Sequence, residues 1–570
     1  MLDNPHREVS RCSMEPADIS FGGSRRRRVG SSKSKSGCLT CKIRRVKCDE
    51  AQPTCHRCSS TGRKCEYRAA LSADPYSPNQ RVRRREETVS TVSPATSLLS
   101  ASTAGNKERR AFHFFFHHIS PRLAGALDRD LWRGAILQIS RSQPAIWDAV
   151  IAISCLYEHP PFSNTAPVAP AVKPPVIDPN HRLALTWYSR ALSNVRNQLD
   201  KRSDIDPAVA LLSCVLFICV EILQENILEA LQLYQQGLQL ICSLNSAINS
   251  SLRETEILFT GIIVPLFYRL GILSIFYGHD LPAGWPLIRP HGTIISFQTL
   301  SDARTTLYSL LSDVVMLARA CTESMQCIPV DINLKEGLGA RQTDLRLRLF
   351  AWHQTMVELK GKSRNDWDDA HCCTYSLLQM AYATSLIVVE TCLDQDEMAY
   401  DYYRYLFQEV IEHAPSAISA TAGHDGTPSP FTFELGASYP LFFTAQKCRD
   451  PIIRRQALDL LMRTPRVEGL HRVVPSTFVA ANIIGIEEGV DIGEDGRPGA
   501  PWDVNFFPGR EKRIGDNLVF YPNQDRSSGL HMKFKRHVKD SRGTWHLAEE
   551  IVRLKVSQKA APSLDPGVRN

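Results

Sequence analysis

Six cysteines lie within twenty-eight residues, and their spacing constrains the fold more than any other feature of the 570-residue chain. The segment reads CLTCKIRRVKCDEAQPTCHRCSSTGRKC, a C-x2-C-x6-C unit that occurs twice with six residues between the copies. A segment this short has no room for an apolar core, so crosslinks must hold it together. The six positions are Cys38, Cys41, Cys48, Cys55, Cys58 and Cys65.

Metal binding explains this density of thiols better than disulfides do. The chain opens MLDNPHREVSRCSMEPADIS without the apolar stretch of a secretory signal. We therefore expect a reducing compartment, where clustered thiols hold zinc more often than they pair. Zinc takes four ligands in a tetrahedron, so six sulfurs are too many for one ion, and two ions need two bridging thiolates. The repeat favours equivalent members, one from each half, as the bridges.

The segment resembles the fungal binuclear zinc cluster (Zn2Cys6) DNA-binding domain. Members of that family carry the same two units, joined by a short loop that usually contains a proline, and Pro53 lies in the loop here. In that family the first and fourth cysteines bridge the two ions, which implies this role for Cys38 and Cys55. The resemblance implies two Zn2+ ions, one held by Cys38, Cys41, Cys48 and Cys55 and the other by Cys55, Cys58, Cys65 and Cys38.

The residues between the cysteines are unequally basic. Four of the six residues between Cys41 and Cys48 are cations, against two of six in the second half. If a short helix begins after Cys41, Ile43 and Val46 share an inner face and the cations point outward. These charges could also form a solvated face, compensate the thiolates or serve nuclear import.

Duplex DNA suits such a surface, because cations neutralise phosphates and an arginine can bind guanine in a bidentate pair worth about 1–3 kcal/mol of discrimination. Family members place the first helix in the major groove and typically read CGG triplets. The resemblance therefore implies base contacts by Arg44 and Arg45, and phosphate contacts by Lys42, Lys47, Arg63 and Lys64.

Charge and composition divide the rest of the chain. The net charge is +7, but residues 1–90 alone carry twenty Lys and Arg against ten Asp and Glu. We predict a disordered basic terminus (1–32), the zinc cluster (33–68) and a Ser/Thr/Pro-rich linker (69–107). Arginine runs at 25–28 and 81–85 favour a nuclear address. The linker shows no heptad pattern, which leaves open a monomer or a dimer formed through the larger domain.

Residues 108–490 read as an all-helical domain. Three stretches, ERRAFHFFFHHISPRLAG, PLFFTAQKCRDPIIRRQALDLL and the IEEG around Glu487, resemble the regulatory region of one class of fungal zinc cluster regulators. Helical periodicity supports this interpretation. It predicts helices beginning at Pro144, Asn180 and Pro207, and further helices at 301–321, 341–360, 366–394, 400–412, 450–463 and 467–487.

Two apolar runs are predicted to be core helices and not membrane spans. Ala208–Leu223 is short for a bilayer, and Ile257–Tyr277 contains Arg269 near its middle. Residues 491–570 are predicted to form a loop, a short hairpin around 518–521 and 530–534, and a tail. The basic residues at 533 and 535–537 are interpreted as a solvated edge.

No catalytic motif is present, so the chain is not expected to be an enzyme. His113, His117 and His118 are interpreted as helix-face residues, and Cys372 and Cys373 as small buried side chains.

The sequence thus predicts a mainly α protein that acts in the nucleus as a sequence-specific transcription regulator, binding double-stranded DNA and the transcription machinery. The helical domain could receive a small-molecule effector, and the family governs metabolic and secondary-metabolite genes. The alternatives are a helical scaffold whose zinc module binds a protein or RNA, and an enzymatic helical domain.

Overall fold

The computed structural model divides into two compact units, residues 1–90 and 91–570, which are considered separately. Arg45 and most of the segments predicted as a basic terminus and linker lie outside the residues it describes. The described residues are 38–44, 46–51, 53–65, 105–160, 178–200, 206–245, 259–276, 297–326, 332–363, 366–394, 396–419, 430–434, 436–505, 507–520 and 529–555.

The N-terminal unit contains two short helices, Leu39–Ile43 and His56–Ser59, each opened by a cysteine at the N-cap. The Sγ atom of Cys38 accepts a hydrogen bond from the backbone N–H of Cys41 at 3.4 Å, so a thiol takes the role of the usual capping hydroxyl. The first helix therefore begins before Cys41 and ends at Ile43. The predicted inner-face position of Val46 is wrong, because this side chain is 40% exposed.

The second unit is built from helices, which confirms the prediction of a mainly α protein. Its α-helices are Asn106–Phe114, Ser120–Ala124, Ile136–Ile139, Pro144–Glu158, Pro179–Asp200, Pro207–Leu223, Ile227–Asn245, Val264–Phe276, Leu300–Gln326, Ile332–Lys362, Asp369–Thr391, Arg404–Ser419, Ser438–Lys447, Pro451–Leu461 and Val473–Glu488. Single turns of π-helix (Phe115–Ile119, Asp130–Ala135, Phe259–Ile263) and 3-10 helix (Glu397–Tyr403, Arg510–Lys512) join or extend them.

The predicted helix starts at Pro144, Asn180 and Pro207 agree with the structure to within a residue, whereas the helix predicted from 341 begins at Ile332. Asp206 caps the helix that Pro207 opens, its Oδ1 accepting from the N–H of Ala208 at 2.9 Å. Along Pro179–Asp200, Ala184 and Tyr188 are buried in the core, whereas Leu192 is 41% exposed. The segment predicted as helix from 467 begins instead with two short strands.

The apolar run around Arg269 lies in the protein core. Arg269 is 5% exposed, and its guanidinium donates to Asp128 Oδ2 at 2.8 Å. Arg304 pairs with the other oxygen of the same carboxylate at 2.9 Å. Although burial opposes ionisation of Asp128, the two arginines hold its pKa below the usual range. Arg269, whose charge argued against a membrane span, is thus paired within an internal ion-pair network.

One described helix, Asp369–Thr391, is long and apolar enough to cross a bilayer, and it is not one of the two apolar runs discussed above. Within the structure 89% of its most apolar window is buried against protein. Its neighbours are the helices Leu300–Gln326, Ile332–Lys362 and Arg404–Ser419, so it is surrounded as a core helix is.

Two small sheets complete the unit. Strands β1 (Phe431–Thr432), β2 (Val467–Glu468) and β3 (His471–Arg472) form one in that order, and β4 (Asn517–Phe520), β5 (His531–Lys539) and β6 (Trp545–Arg553) form an antiparallel sheet. The predicted hairpin corresponds to β4 and β5, and β6 was missed. The basic residues of β5 lie on the central strand and not on an edge, where Lys533 pairs with Glu549 and Arg536 with Glu550.

Candidate metal centre and nucleic-acid interface

The six cysteines of the repeated C-x2-C-x6-C units lie close together. The two short helices and the loops around them bring the Sγ atoms into two groups of four, and within each group all atoms lie within 4.8 Å of one another. Two cysteines belong to both groups. The groups are Cys38, Cys41, Cys48 and Cys55, and Cys38, Cys55, Cys58 and Cys65.

The sulfur–sulfur distances fit zinc. Thiolates at about 2.3 Å from a tetrahedral ion stand about 3.8 Å apart. The separations are 3.7 Å between Cys38 and Cys55, 3.7 Å between Cys38 and Cys58, and 3.6 Å between Cys41 and Cys55. A disulfide would need about 2.05 Å, and all six cysteines are free thiols. The donor set and its spacing therefore suit two ions sharing two sulfurs.

Backbone N–H groups point at the sulfurs and favour their charged form. Cys48 Sγ accepts from the N–H groups of Cys38 and Glu50, both at 3.4 Å, and Cys65 Sγ accepts from the N–H of Cys55 at 3.3 Å. Without a metal, desolvation and the neighbouring thiols raise the pKa of Cys41 to about 12. Metal binding must therefore release protons from this site.

The basic residues of the first half surround the short first helix. Lys42 and Lys47 are exposed, while Arg44 is half-buried at the C-cap of the helix. The guanidinium Nη1 of Arg44 donates to Thr61 Oγ1 at 3.3 Å, and that hydroxyl donates to the carbonyl of Arg57 at 2.9 Å. Arg44 is thus held against the second half of the module. Arg45 lies outside the described residues, so its predicted base contact stays a prediction.

Two further contacts position the basic surface, and the sequence analysis missed them. Thr40 Oγ1 donates to the carbonyl of Lys64 at 2.8 Å, which ties the first helix to the end of the module. Asp49 Oδ2 accepts from the N–H of His56 at 3.0 Å, a bond that lowers the pKa of Asp49. Arg63 and Lys64 are both exposed. The sequence carries no signal for the roles of Thr40 and Thr61. Thr40 contacts Lys64, 24 residues away, and Thr61 contacts Arg44, 17 residues away.

Two of the three stretches that resemble the fungal regulatory region, those containing Arg449 and Glu487, meet in the interior of the helical domain. Glu487 is fully buried and pairs with Arg449 at 3.0 Å and Arg454 at 2.8 Å. Its Oε1 also accepts from the N–H of Ile514 at 2.7 Å, and Arg449 reaches Glu397 at 2.8 Å. These groups attach the segment that leads to β4 onto the helices. Their geometry is that of an internal ion-pair network.

The sequence analysis interpreted three histidines as helix-face residues and two adjacent cysteines as buried side chains. His113, His117 and His118 are all exposed on the helical face, as predicted. Cys373 is buried, but Cys372 is exposed, so the buried position predicted for it is wrong. Adjacent helical residues point about 100° apart, which explains why the two cysteines differ.

A cleft of about 240 Å³ opens between helices of the second unit. Leu127, Leu300 and Trp367 form apolar walls, and His371 stands at the side. The Nδ1 atom of His371 lies 2.6 Å from Asp368 Oδ1.

A basic module with six clustered thiols, followed in sequence by a helical domain, is the arrangement expected of transcription regulators that carry a zinc cluster. Comparison with known families agrees. Residues 36–73 match the fungal Zn(2)-Cys(6) binuclear cluster domain, which binds two zinc ions, and residues 110–475 match the fungal specific transcription factor domain. The chain belongs to the fungal Zn(2)-C6 transcription regulators, and it is not an enzyme.

Several characterised relatives share parts of the sequence. The aspercryptin biosynthesis cluster-specific transcription regulator atnN of Emericella nidulans is 26% identical over 345 residues, which cover 56% of this chain and 53% of that protein. The Zn(2)-C6 fungal-type transcription factor afumD of Aspergillus fumigatus is 31% identical over 23% of this chain and 34% of its own. Transcription factor lfc1 of Flammulina velutipes is 43% identical over 56 residues, 10% of this chain and 20% of its own.

The chain thus matches about half the length of the first of these relatives and less of the others. No solved structure matches it.

Proposed function

We propose that this regulator binds double-stranded DNA at CGG-like triplets through the cysteine module, with the first helix in the major groove. The observation that carries the proposal is the cationic segment between Cys41 and Cys48, presented on a base of six converging thiols. Arg44 and Arg45 contact bases. Phosphates are neutralised by Lys42, Lys47, Arg63 and Lys64.

The six cysteines are the proposed zinc ligands. Cys38 and Cys55 bridge, because they are the two members common to both groups of four. Bound zinc supplies the crosslinks that a segment without an apolar core needs. Cys48 and Cys65 are the last cysteines of the two repeated units. The N–H groups directed at their sulfurs stabilise the thiolate charge there.

The proposed domain organisation is a basic terminus (1–32), the zinc cluster (33–68), a linker (69–107), the regulatory domain (108–490) and a C-terminal region (491–570). The protein acts in the nucleus and contacts the transcription machinery. Control of metabolic or secondary-metabolite genes is supported by the relative named for the aspercryptin biosynthesis cluster. The 240 Å³ cleft is the candidate site for a small-molecule effector.

Substitution of the base-reading arginines tests this function. Zinc-loaded full-length protein carrying Arg44→Ala or Arg45→Ala is titrated with duplexes that contain CGG or a scrambled triplet. Each change should reduce discrimination by about 1–3 kcal/mol, because one bidentate pair is lost. Arg57→Ala, an exposed arginine of the second helix, is the matched control and should keep the preference. Unchanged discrimination in the Arg44 and Arg45 variants would favour a scaffold that binds a protein or RNA.

A further inference from the structure

Strand β6 directs its larger apolar side chains away from the protein. Trp545, Leu547 and Ile551 alternate along the strand and therefore share one face of the sheet. The opposite face of the sheet carries Met532 and Phe534, which are buried in the cluster that joins the sheet to the helices. Leu547 is 51% exposed and Ile551 is 58% exposed. The outer face is thus apolar at positions where a solvated strand would be polar.

A row of basic side chains runs down the middle of the same outer face. The residues of β5 that alternate on this side are His531, Lys533, Lys535, His537 and Lys539. On the far side of β5, Leu518 of β4 stands opposite Lys533 and is 62% exposed. The only acid among the outward positions of the two long strands is Glu549, which pairs with Lys533 at 2.7 Å. A positive strip therefore lies between two apolar strips.

We propose that this outer face docks an acidic peptide segment of a partner protein, one that carries large apolar residues between its carboxylates. The basic row pairs with the carboxylates, while the peptide's apolar side chains cover Leu518, Leu547 and Ile551. Both parts of the face are needed, because exposed ion pairs alone contribute little and apolar burial alone does not select for charge. The proposal is independent of DNA binding by the cysteine module.

Nucleic acid fits this surface less well. Phosphates would match the lysines, but they gain nothing from exposed aliphatic side chains. The Trp545 ring, the largest aromatic group on the face, already has Arg510 at 5.5 Å and Lys539 at 5.7 Å from its centroid. Its surface for stacking a base is therefore restricted.

Binding of a labelled peptide to the zinc-loaded full-length protein tests the proposal. The probe is a fluorescein-labelled peptide of about 16 residues, made of Asp and Glu with Leu or Phe at every third or fourth position. Two control peptides replace its acids by Lys or its apolar residues by Ser. Fluorescence anisotropy should show binding of the first peptide alone.

Two pairs of substitutions in the face separate charge from apolar contact. Lys535→Glu with Lys539→Glu should weaken peptide binding about tenfold or more, and so should Leu547→Ser with Ile551→Ser. Matched controls are Lys362→Glu and Leu228→Ser, whose side chains are 73% and 72% exposed elsewhere on the unit. The controls should bind within about twofold of the unchanged protein, and circular dichroism should show that all variants melt alike.

Carbodiimide coupling gives a second readout that does not depend on variants. In the unchanged protein it should join peptide carboxylates to Lys535 and Lys539, as identified by mass spectrometry. Coupling confined to other lysines, or equal peptide binding by all variants, would overturn the proposal. Random duplex DNA or oligo-uridine RNA could instead displace the peptide. If the Lys535→Glu, Lys539→Glu variant also lost affinity for that nucleic acid about tenfold, the face would be a nucleic-acid site.

Discussion

The cysteine module and the helical domain are stabilised in opposite ways. Among the described side chains of the module, the buried hydrophobic cluster consists of cysteines. In the helical domain a continuous cluster runs from the Asn106–Phe114 helix to the Val473–Glu488 helix, and it encloses ion pairs such as Arg454–Glu487. The module therefore depends on ions it must acquire, whereas the helical domain depends on apolar burial that the chain itself supplies. Loss of the metal should therefore unfold the module and leave the fold of the helical domain in place.

Metal removal should separate the two regions most strongly. Chelation, or Cys55→Ala, is expected to abolish DNA binding, because structural zinc supplies about 10–16 kcal/mol of folding free energy in such small modules. The thermal transition of the helical domain, followed by circular dichroism, should not move. Stripped protein that still selects the same DNA would contradict this account.

Disrupting the buried ion pairs should have the reverse effect. Glu487→Gln leaves Arg449 and Arg454 with reduced compensation in the interior, and it is expected to lower the free energy of unfolding by about 3–5 kcal/mol. Chemical denaturation measures the loss. Glu358→Gln, which removes an exposed partner of Lys362, should change stability by less than about 0.5 kcal/mol. Triplet discrimination by the module should survive at a temperature where the variant is folded.

The helical domain should also respond to pH through Glu468. Complete burial raises the pKa of this carboxyl to about 7, although Ser438 donates to it through its N–H. Because the folded pKa lies above the unfolded one, the stabilising contribution is full below about pH 4.5 and is lost as pH rises through about 7. The loss amounts to roughly 3 kcal/mol.

Denaturation midpoints between pH 5 and 8 test this dependence. Glu468→Gln should flatten the profile, whereas Asp459→Asn, at an exposed ion pair with Arg497, should leave its slope in place. An unchanged slope in the Glu468 variant would show that other groups carry the pH dependence.

The smallest expected effect concerns the tie between the two halves of the module. Thr61→Val removes the acceptor that holds Arg44 and should weaken binding to a CGG duplex by about 0.5–1.5 kcal/mol, because the arginine loses its preset position. Fluorescence anisotropy at fixed salt measures the change, with Ser60→Ala as the control at the neighbouring exposed residue. Tighter binding by the Thr61 variant would show instead that the bond restrains Arg44.

Sequence predicts most reliably where one local rule decides. The cysteine spacing predicted which thiols cluster, and Asp206 with Pro207 predicted a helix start, because both signals depend on neighbours in the chain. Val46 was placed on the wrong side because the first helix ends at Ile43, a length that the local pattern does not determine. Strand β6 was missed because its apolar residues face outward, so the usual alternation gave no inward face to recognise.

Local sequence rules could not predict contacts between residues that are far apart in the chain. Thr61 approaches Arg44 and Glu487 approaches Arg449 only after the chain has folded. The resemblance drew attention to the stretches that contain Arg449 and Glu487 without showing that they pair. Residue roles of this kind need coordinates, while the class of protein could be predicted from twenty-eight residues.

Selection of binding sites from random duplex DNA tests the central claim most directly. The zinc-loaded full-length protein is incubated with the pool, and the retained duplexes are sequenced. We predict enrichment of CGG-like triplets, either a single triplet for a monomer or two at fixed spacing for a dimer formed through the larger domain. A pool with no enriched sequence would contradict the assignment of the cysteine module as the DNA-reading part of this regulator.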